Sequence, residues 1–303
     1  MKRLVVLMIL SMTASLLSAD VSARDKIAGG SIDIFMGVDF NFRDIYWNNR
    51  VYDVLVNLTP GVRWKQARRW DVCAQLYVPV INQYGDYYKN VRIRVASLSR
   101  QFAVSNRWKM KVSGGIFTAE SYGIDLKNMF IVNPWLAATA EIGVTGYLSM
   151  ASGWDMSTMK KITFMIGPEF YLSRWNTQFS LRGGRYLFGD YGAEFEAFRH
   201  FRHASVGVFA SYSDICKENA GFKVVIMLPP YKRKHRKVNI RPADNFRLVY
   251  NVEAGYRGLR KYHTDAEENE RTGWFDRDLI PWGTDLMEAD FKYEDTEKKE
   301  ERK

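Results

Sequence analysis

The chain has 303 residues, 15% of them aromatic, with a mean hydropathy of −0.30 and a formal net charge of +10. Beyond its N-terminal segment it holds no run of about 18 apolar residues, which excludes a helical route through a bilayer. The positive balance by itself would fit a nucleic-acid binder, but the N-terminus directs the chain out of the cytoplasm, leaving anionic lipid head groups or acidic glycans as partners for the charge.

That N-terminus reads Met1-Lys2-Arg3, then an apolar run from Leu4 to Leu17, then the small residues Ser18, Ala19, Ser22 and Ala23. This is the three-part layout of a secretory signal peptide, with cleavage expected after Ala23 and the mature chain starting at Arg24. No cysteine follows the cut, so a lipid-modified N-terminus is disfavoured. An uncleaved anchor is the alternative, and the run is short for a spanning helix.

From Ser31 the chain alternates. Ile32, Ile34, Met36, Val38, Phe40 and Phe42 fall on one parity, with Asp33, Gly37, Asp39 and Asn41 on the other. Period two over that length predicts a strand near the 9 to 11 residues that a tilted crossing of hydrocarbon takes. Tyr52, Val54, Val56 and Leu58 share the next face, and Trp70, Val72, Ala74, Leu76, Val78 and Val80 the one after, opposite Asp71, Cys73, Gln75 and Tyr77. Similar segments follow at residues 91–102, 107–117, 135–148, 162–172, 177–187, 204–213, 221–228 and 246–256, with weaker ones near Tyr122 and Tyr191. The expected fold is all-β: a transmembrane antiparallel up-and-down barrel of roughly 12 to 14 strands.

Segment 135–148 sets the register most clearly. Leu136, Ala138, Ala140, Ile142, Val144 and Leu148 alternate with Thr139, Glu141, Gly143, Thr145 and Tyr147. A mid-strand charge is tolerated in a wet lumen and costly against lipid, so Glu141 is assigned inward, as are Asp39, Gln75 and Glu169. Val38, Leu76, Ile142 and Phe170 then face lipid. A soluble β-sandwich also alternates, and remains the alternative at this point. Residues 257–303 lose the alternation, are dense in charge and read as a mobile tail, so the chain divides into a signal peptide (1–23), a barrel (24–256) and a charged tail (257–303). Cys73 and Cys216 are far apart in sequence, and nothing local brings them together; pairing is left open.

The stretch Gly183-Gly184-Arg185-Tyr186-Leu187-Phe188-Gly189-Asp190-Tyr191-Gly192, followed by Gly221-Phe222-Lys223 leading to Leu228-Pro229, has a more particular character. Over residues 181–230 it resembles the YjbH-like, GfcD-related family of outer-membrane β-barrels, carried by Gly184, Arg185, Tyr186, Leu187, Gly189, Asp190 and Gly192. The resemblance implies a barrel encoded with exopolysaccharide or capsule export machinery, acting in export or assembly of an extracellular polysaccharide in the outer membrane of a Gram-negative-type cell. The partners it implies are outer-membrane lipid and lipopolysaccharide, polysaccharide-export proteins and an acidic glycan. Apart from any family, these glycines also suit turns and close backbone approach in any barrel.

Lys232, Arg233, Lys234, Arg236 and Lys237 surround His235 in a run between Pro229-Pro230 and Arg241-Pro242. It reads as a loop, either anion-binding, for lipopolysaccharide phosphate, an acidic glycan or an acidic partner, or simply solvated. His200 and His203 stand three apart, which on a strand puts them on opposite faces and argues against a shared metal. No nucleophile-elbow or other catalytic spacing occurs, and the histidines have no evident serine partner in the sequence. No catalytic residue, cofactor, metal or nucleic acid is therefore expected. Two alternatives to polysaccharide export stand beside it: a general pore or structural barrel of another surface or secretion system, and a lipid- or glycan-modifying barrel enzyme.

Overall fold

A strand that is apolar on one face and polar on the other is stable only when both edges are paired and each face meets a matching medium. In a computed structural model the chain meets the first condition by closing its sheet completely. The structure describes residues 31–44, 52–66, 70–105, 107–118, 120–133, 135–150, 155–201, 204–215, 217–227, 238–243 and 245–253. The strands are β1 (Ser31–Asp44), β2 (Tyr52–Gln66), β3 (Trp70–Asn82), β4 (Arg92–Ala103), β5 (Trp108–Phe117), β6 (Ser121–Asn133), β7 (Leu136–Ser149), β8 (Asp155–Met156), β9 (Lys161–Leu172), β10 (Thr177–Arg185), β11 (Tyr191–His200), β12 (Ala204–Ser213), β13 (Lys217–Met227), β14 (Val238–Pro242) and β15 (Asn245–Glu253).

Each strand pairs antiparallel with the next around the wall, apart from β8, a short addition to β7, and β14, which lies end to end with β15 along β1. Counting β14 and β15 as one stave and leaving out β8 gives 13 staves. The number falls within the expected range, and every alternating segment read from the sequence has its strand. The closing pair differs from an all-antiparallel expectation: β1 runs parallel to both β14 and β15. An odd number of staves in a meander leaves the first and last pointing the same way, so parallel closure follows from the count.

The wall is turned inside out relative to a soluble domain. Asp33, Asp39, Arg63, Gln75, Arg94, Lys111, Glu141, Glu169 and Arg182 are buried, while Ile34, Leu76, Ile124, Ile142, Ile166, Leu181 and Val208 are exposed. In a single-layer closed sheet the buried parity is the inner one, so the interior is polar and charged. A few inward aromatic rings lie flat because a glycine sits directly opposite. Phe35 covers Gly61, Tyr122 covers Gly146 and Phe198 covers Gly207, each as a cross-strand pair, and a Cβ on any of these glycines would come within 2.4 to 2.7 Å of the ring. Phe35, Cys73, Val95 and Ala243 form an apolar patch inside.

Aromatic side chains collect on the outer face toward both rims. Tyr52, Tyr147, Phe164, Tyr191 and Tyr212 are exposed toward one end, and Phe102, Trp108, Phe130, Trp135, Phe170 and Trp175 toward the other. The exposed outer residues between the two sets are largely aliphatic.

Candidate functional site

The inward residues assigned from sequence lie on strands spread around the wall. Asp39 is on β1, Gln75 on β3, Glu141 on β7 and Glu169 on β9, and each is buried; Leu76, Ile142 and Phe170 are exposed and Val38 is half-buried. The structure divides the interior into two charged regions that the sequence, read strand by strand, does not reveal.

One region spans β7 to β13. Arg182 on β10 pairs with Glu194 at 2.5 Å and reaches Glu196 at 3.5 Å, and Lys223 on β13 pairs with Glu196 at 2.7 Å. Gln178 donates to Glu169 at 3.4 Å. With Glu141, which faces Lys127 of β6 across the strand pair, this cluster groups four carboxylates around Arg182 and Lys223.

The other region spans β14 and β15 and β1 to β4 and is rich in arginine. Arg43 pairs with Asp53 at 3.0 Å, Arg241 with Asp33 at 3.1 Å and Arg247 with Asp39 at 3.1 Å, while Arg63 pairs with Asp71 and Arg94 donates to Gln75. At one end of this region the β3–β4 connection brings Tyr84, Tyr87 and Tyr88, beside Tyr77 of β3, over the arginines. The guanidinium of Arg43 lies 4.1 Å from the Tyr84 ring centre, and that of Arg92 lies 4.6 Å from Tyr88, 5.5 Å from Tyr77 and 5.6 Å from Tyr87. Burial, with Glu120 beside it, pushes the Tyr87 phenol well above its ordinary value, so it stays neutral and keeps its donor. Asp86 in the same connection is exposed and bonded to Lys89 at 2.6 Å, which lowers its carboxyl.

Below these rings lies a cavity of about 270 Å³, lined by residues that include Asp39, Asn57, Tyr77, Tyr84, Tyr88, Arg92, Arg94, Glu120 and Arg247. Of these only Asp39 was singled out as a candidate from sequence. The signal available was the run Tyr84, Tyr87, Tyr88 directly ahead of Arg92 and Arg94, but which rings meet which cations depends on the fold of the connection.

The motif residues of β10 and β11 form a tight reversal. Gly184 pairs with Gly192 and Arg185 with Tyr191, the Tyr186 amide donates to the Asp190 carbonyl at 2.8 Å, and the Arg185 Nε donates to the Gly189 carbonyl at 3.2 Å. Gly189 turns the chain at φ +88°. Tyr186 and Leu187, which alternation carries into the strand, belong to this turn, and with Asp190 they are buried. A Cβ at Gly192 would come within 2.7 Å of the Tyr186 ring.

No protein-family model, curated protein or solved structure matches this chain.

The remaining candidates divide between those the structure positions and those it leaves aside. His200, at the end of β11, does have a serine partner: its Nδ1 lies 2.8 Å from the Ser205 Oγ, and its Nε2 lies 3.3 Å from the Gln178 Oε1. His200 and Ser205 are direct cross-strand partners, a relation set by the β11–β12 register and invisible as a motif. Ser205 is 0% exposed, so the pair is a buried polar contact. Lys232, Arg233, Lys234, Arg236 and Lys237, together with His203, Cys216, the signal segment 1–23 and the tail 257–303, lie outside the described residues.

Proposed function

We propose that this chain is an outer-membrane β-barrel that acts in export or assembly of an extracellular polysaccharide. The observation that carries the membrane assignment is the outer face: an exposed band, largely aliphatic, bounded at both rims by aromatic residues, around an interior of buried charges. Lipid rewards that arrangement and water penalises it, since aromatic rings favour the two interfaces and apolar side chains the zone between. The main staves run from 9 to 15 residues, enough to cross hydrocarbon when tilted. The signal-peptide layout supports export to that membrane.

The polysaccharide assignment draws on the family resemblance over residues 181–230 and is supported by the tyrosine–arginine cavity, whose mixture of ring faces and charged donors suits hydroxyl-rich ligands better than lipid. A general diffusion pore is the weaker reading, because inward side chains are buried against one another and joined by ion pairs. A hydrolase is weaker still, because a serine with no exposed surface meets no substrate.

Two measurements test the proposal. Ile142 is 48% exposed on the outer face. Ile142→Arg should cost about 2 to 4 kcal/mol of folding free energy in lipid vesicles if it lies near the bilayer midplane. A mature protein that remains soluble without detergent and fractionates with the periplasm would overturn the membrane assignment. Deleting the gene should abolish surface or secreted polysaccharide, and undiminished polymer would overturn the export role.

A further inference from the structure

We infer that the cavity beneath the β3–β4 connection binds a single acidic unit of a saccharide, a choice of ligand class that rests on the export role proposed above. Two buried polar atoms at this site have no hydrogen-bond partner among the described residues: the Asn57 Oδ1, on a residue 1% exposed, and the Arg92 Nε, on a residue 7% exposed. Both residues line the cavity. A buried donor and acceptor left unmatched within the protein are costly, so a polar ligand that draws these two side chains into its hydrogen bonding through a small shift of the lining relieves that cost.

Shape and charge narrow the ligand further. Tyr77, Tyr84 and Tyr88 bring ring surface to the lining, with Tyr84 and Tyr88 edge to face at 5.7 Å, so the walls present both apolar faces and polar tips. The volume of about 270 Å³ lies just under the range of roughly 300 to 1,000 Å³ typical of small-molecule pockets, which suits one or two sugar rings and not a polymer segment. Among the charged lining residues, Arg92, Arg94 and Arg247 outnumber Asp39 and Glu120 by one. One carboxylate on the ligand balances that excess, and arginine binds carboxylates in a planar fork. The interior across β7 to β13 is rich in carboxylates, so an acidic unit is drawn to the arginine side and repelled from the other.

The test uses the full mature chain folded in detergent micelles and two probes, a glucuronate-containing tetrasaccharide and a neutral glucose tetrasaccharide, titrated by calorimetry at low and physiological salt. The acidic probe should bind at least about tenfold more tightly than the neutral one, and salt should weaken it. Asn57→Asp keeps nearly the same shape and adds a negative charge at the wall, so it should weaken the acidic probe by about tenfold or more. Heat-modifiable gel migration reports whether that variant is folded; if it is not, Tyr88→Ala in the connection carries the same expectation. Equal affinity for both probes, no binding of either to folded protein, or folded variants that bind like the parent would each overturn the site. Polymer yield of the deletion strain separates the two proposals: lost polymer without acidic-probe binding removes the site alone, and normal polymer with binding removes the export role alone.

Discussion

Individual glycines decide how closely the staves of this barrel pack, and they do so unequally. At Gly192 a Cβ would come within 2.0 Å of the Tyr212 carbonyl oxygen as well as within 2.7 Å of the Tyr186 ring, so backbone as well as side chain would have to move. At Gly114 on β5 the nearest atom is the Gly123 carbonyl oxygen at 3.8 Å, an ordinary contact. Gly192→Ala should therefore destabilise the folded barrel by about 1 to 3 kcal/mol, the cost usual for overpacking, while Gly114→Ala should be tolerated. Urea unfolding of both variants in the same micelles checks the contrast, and equal midpoints would contradict it. In the sequence Gly184, Gly189 and Gly192 stand out as a motif, but nothing there separates the glycine that turns the chain from the one that lies under a ring. That distinction requires the register of β10 against β11, which places Tyr186 over Gly192.

Strands were the most legible level, because alternation is a local property and each stave displays its own. The inward parity of β7 follows from Glu141, buried at 7% exposure, as far as Thr145; at Gly146 the alternation slips, so that Leu148 is buried and Tyr147 exposed, the reverse of what strict period two predicts. What alternation could not supply was pairing at a distance. The closure of β1 on β14 and β15 joins residues more than 200 apart in the chain, with the register shifting between the Met36–Pro242 and Asp39–Arg247 pairs and with Pro242 unable to donate a backbone hydrogen bond. Side chains reinforce this seam from inside: Asn239 and Arg241 both donate to Asp33 at 3.1 Å, and Arg247 pairs with Asp39 at 3.1 Å. The same long reach explains why the arginine-rich and carboxylate-rich regions of the interior, and the cavity that depends on them, were not readable beforehand. Asp33→Ala should destabilise the barrel by about 3 to 5 kcal/mol, because it strands a buried guanidinium. Asp86→Ala, which removes an exposed partner of Lys89 only, should leave the unfolding midpoint unchanged. If the two variants unfold alike, the seam owes its closure to the backbone and not to these pairs.

At the scale of the molecule, the odd number of staves has a topological consequence that an even-numbered barrel lacks. Because β1 and β15 run parallel, the chain enters the wall at Ser31 at one rim and leaves it at Glu253 at the opposite rim. In a barrel that spans a membrane, the segments preceding Ser31 and following Glu253 must therefore start from opposite faces of the bilayer. Most meanders of bacterial outer membranes have an even number of strands, which returns both ends to the same side. The prediction is tested in intact cells with a short epitope tag placed either just ahead of Ser31 or just beyond Glu253, probed with an antibody that cannot cross the membrane. One tag and not the other should be labelled before permeabilisation, and both after it. Labelling of both tags, or of neither, in intact cells with folded protein would mean that the two ends share one side, a result that 13 staves closed by a parallel pair do not allow.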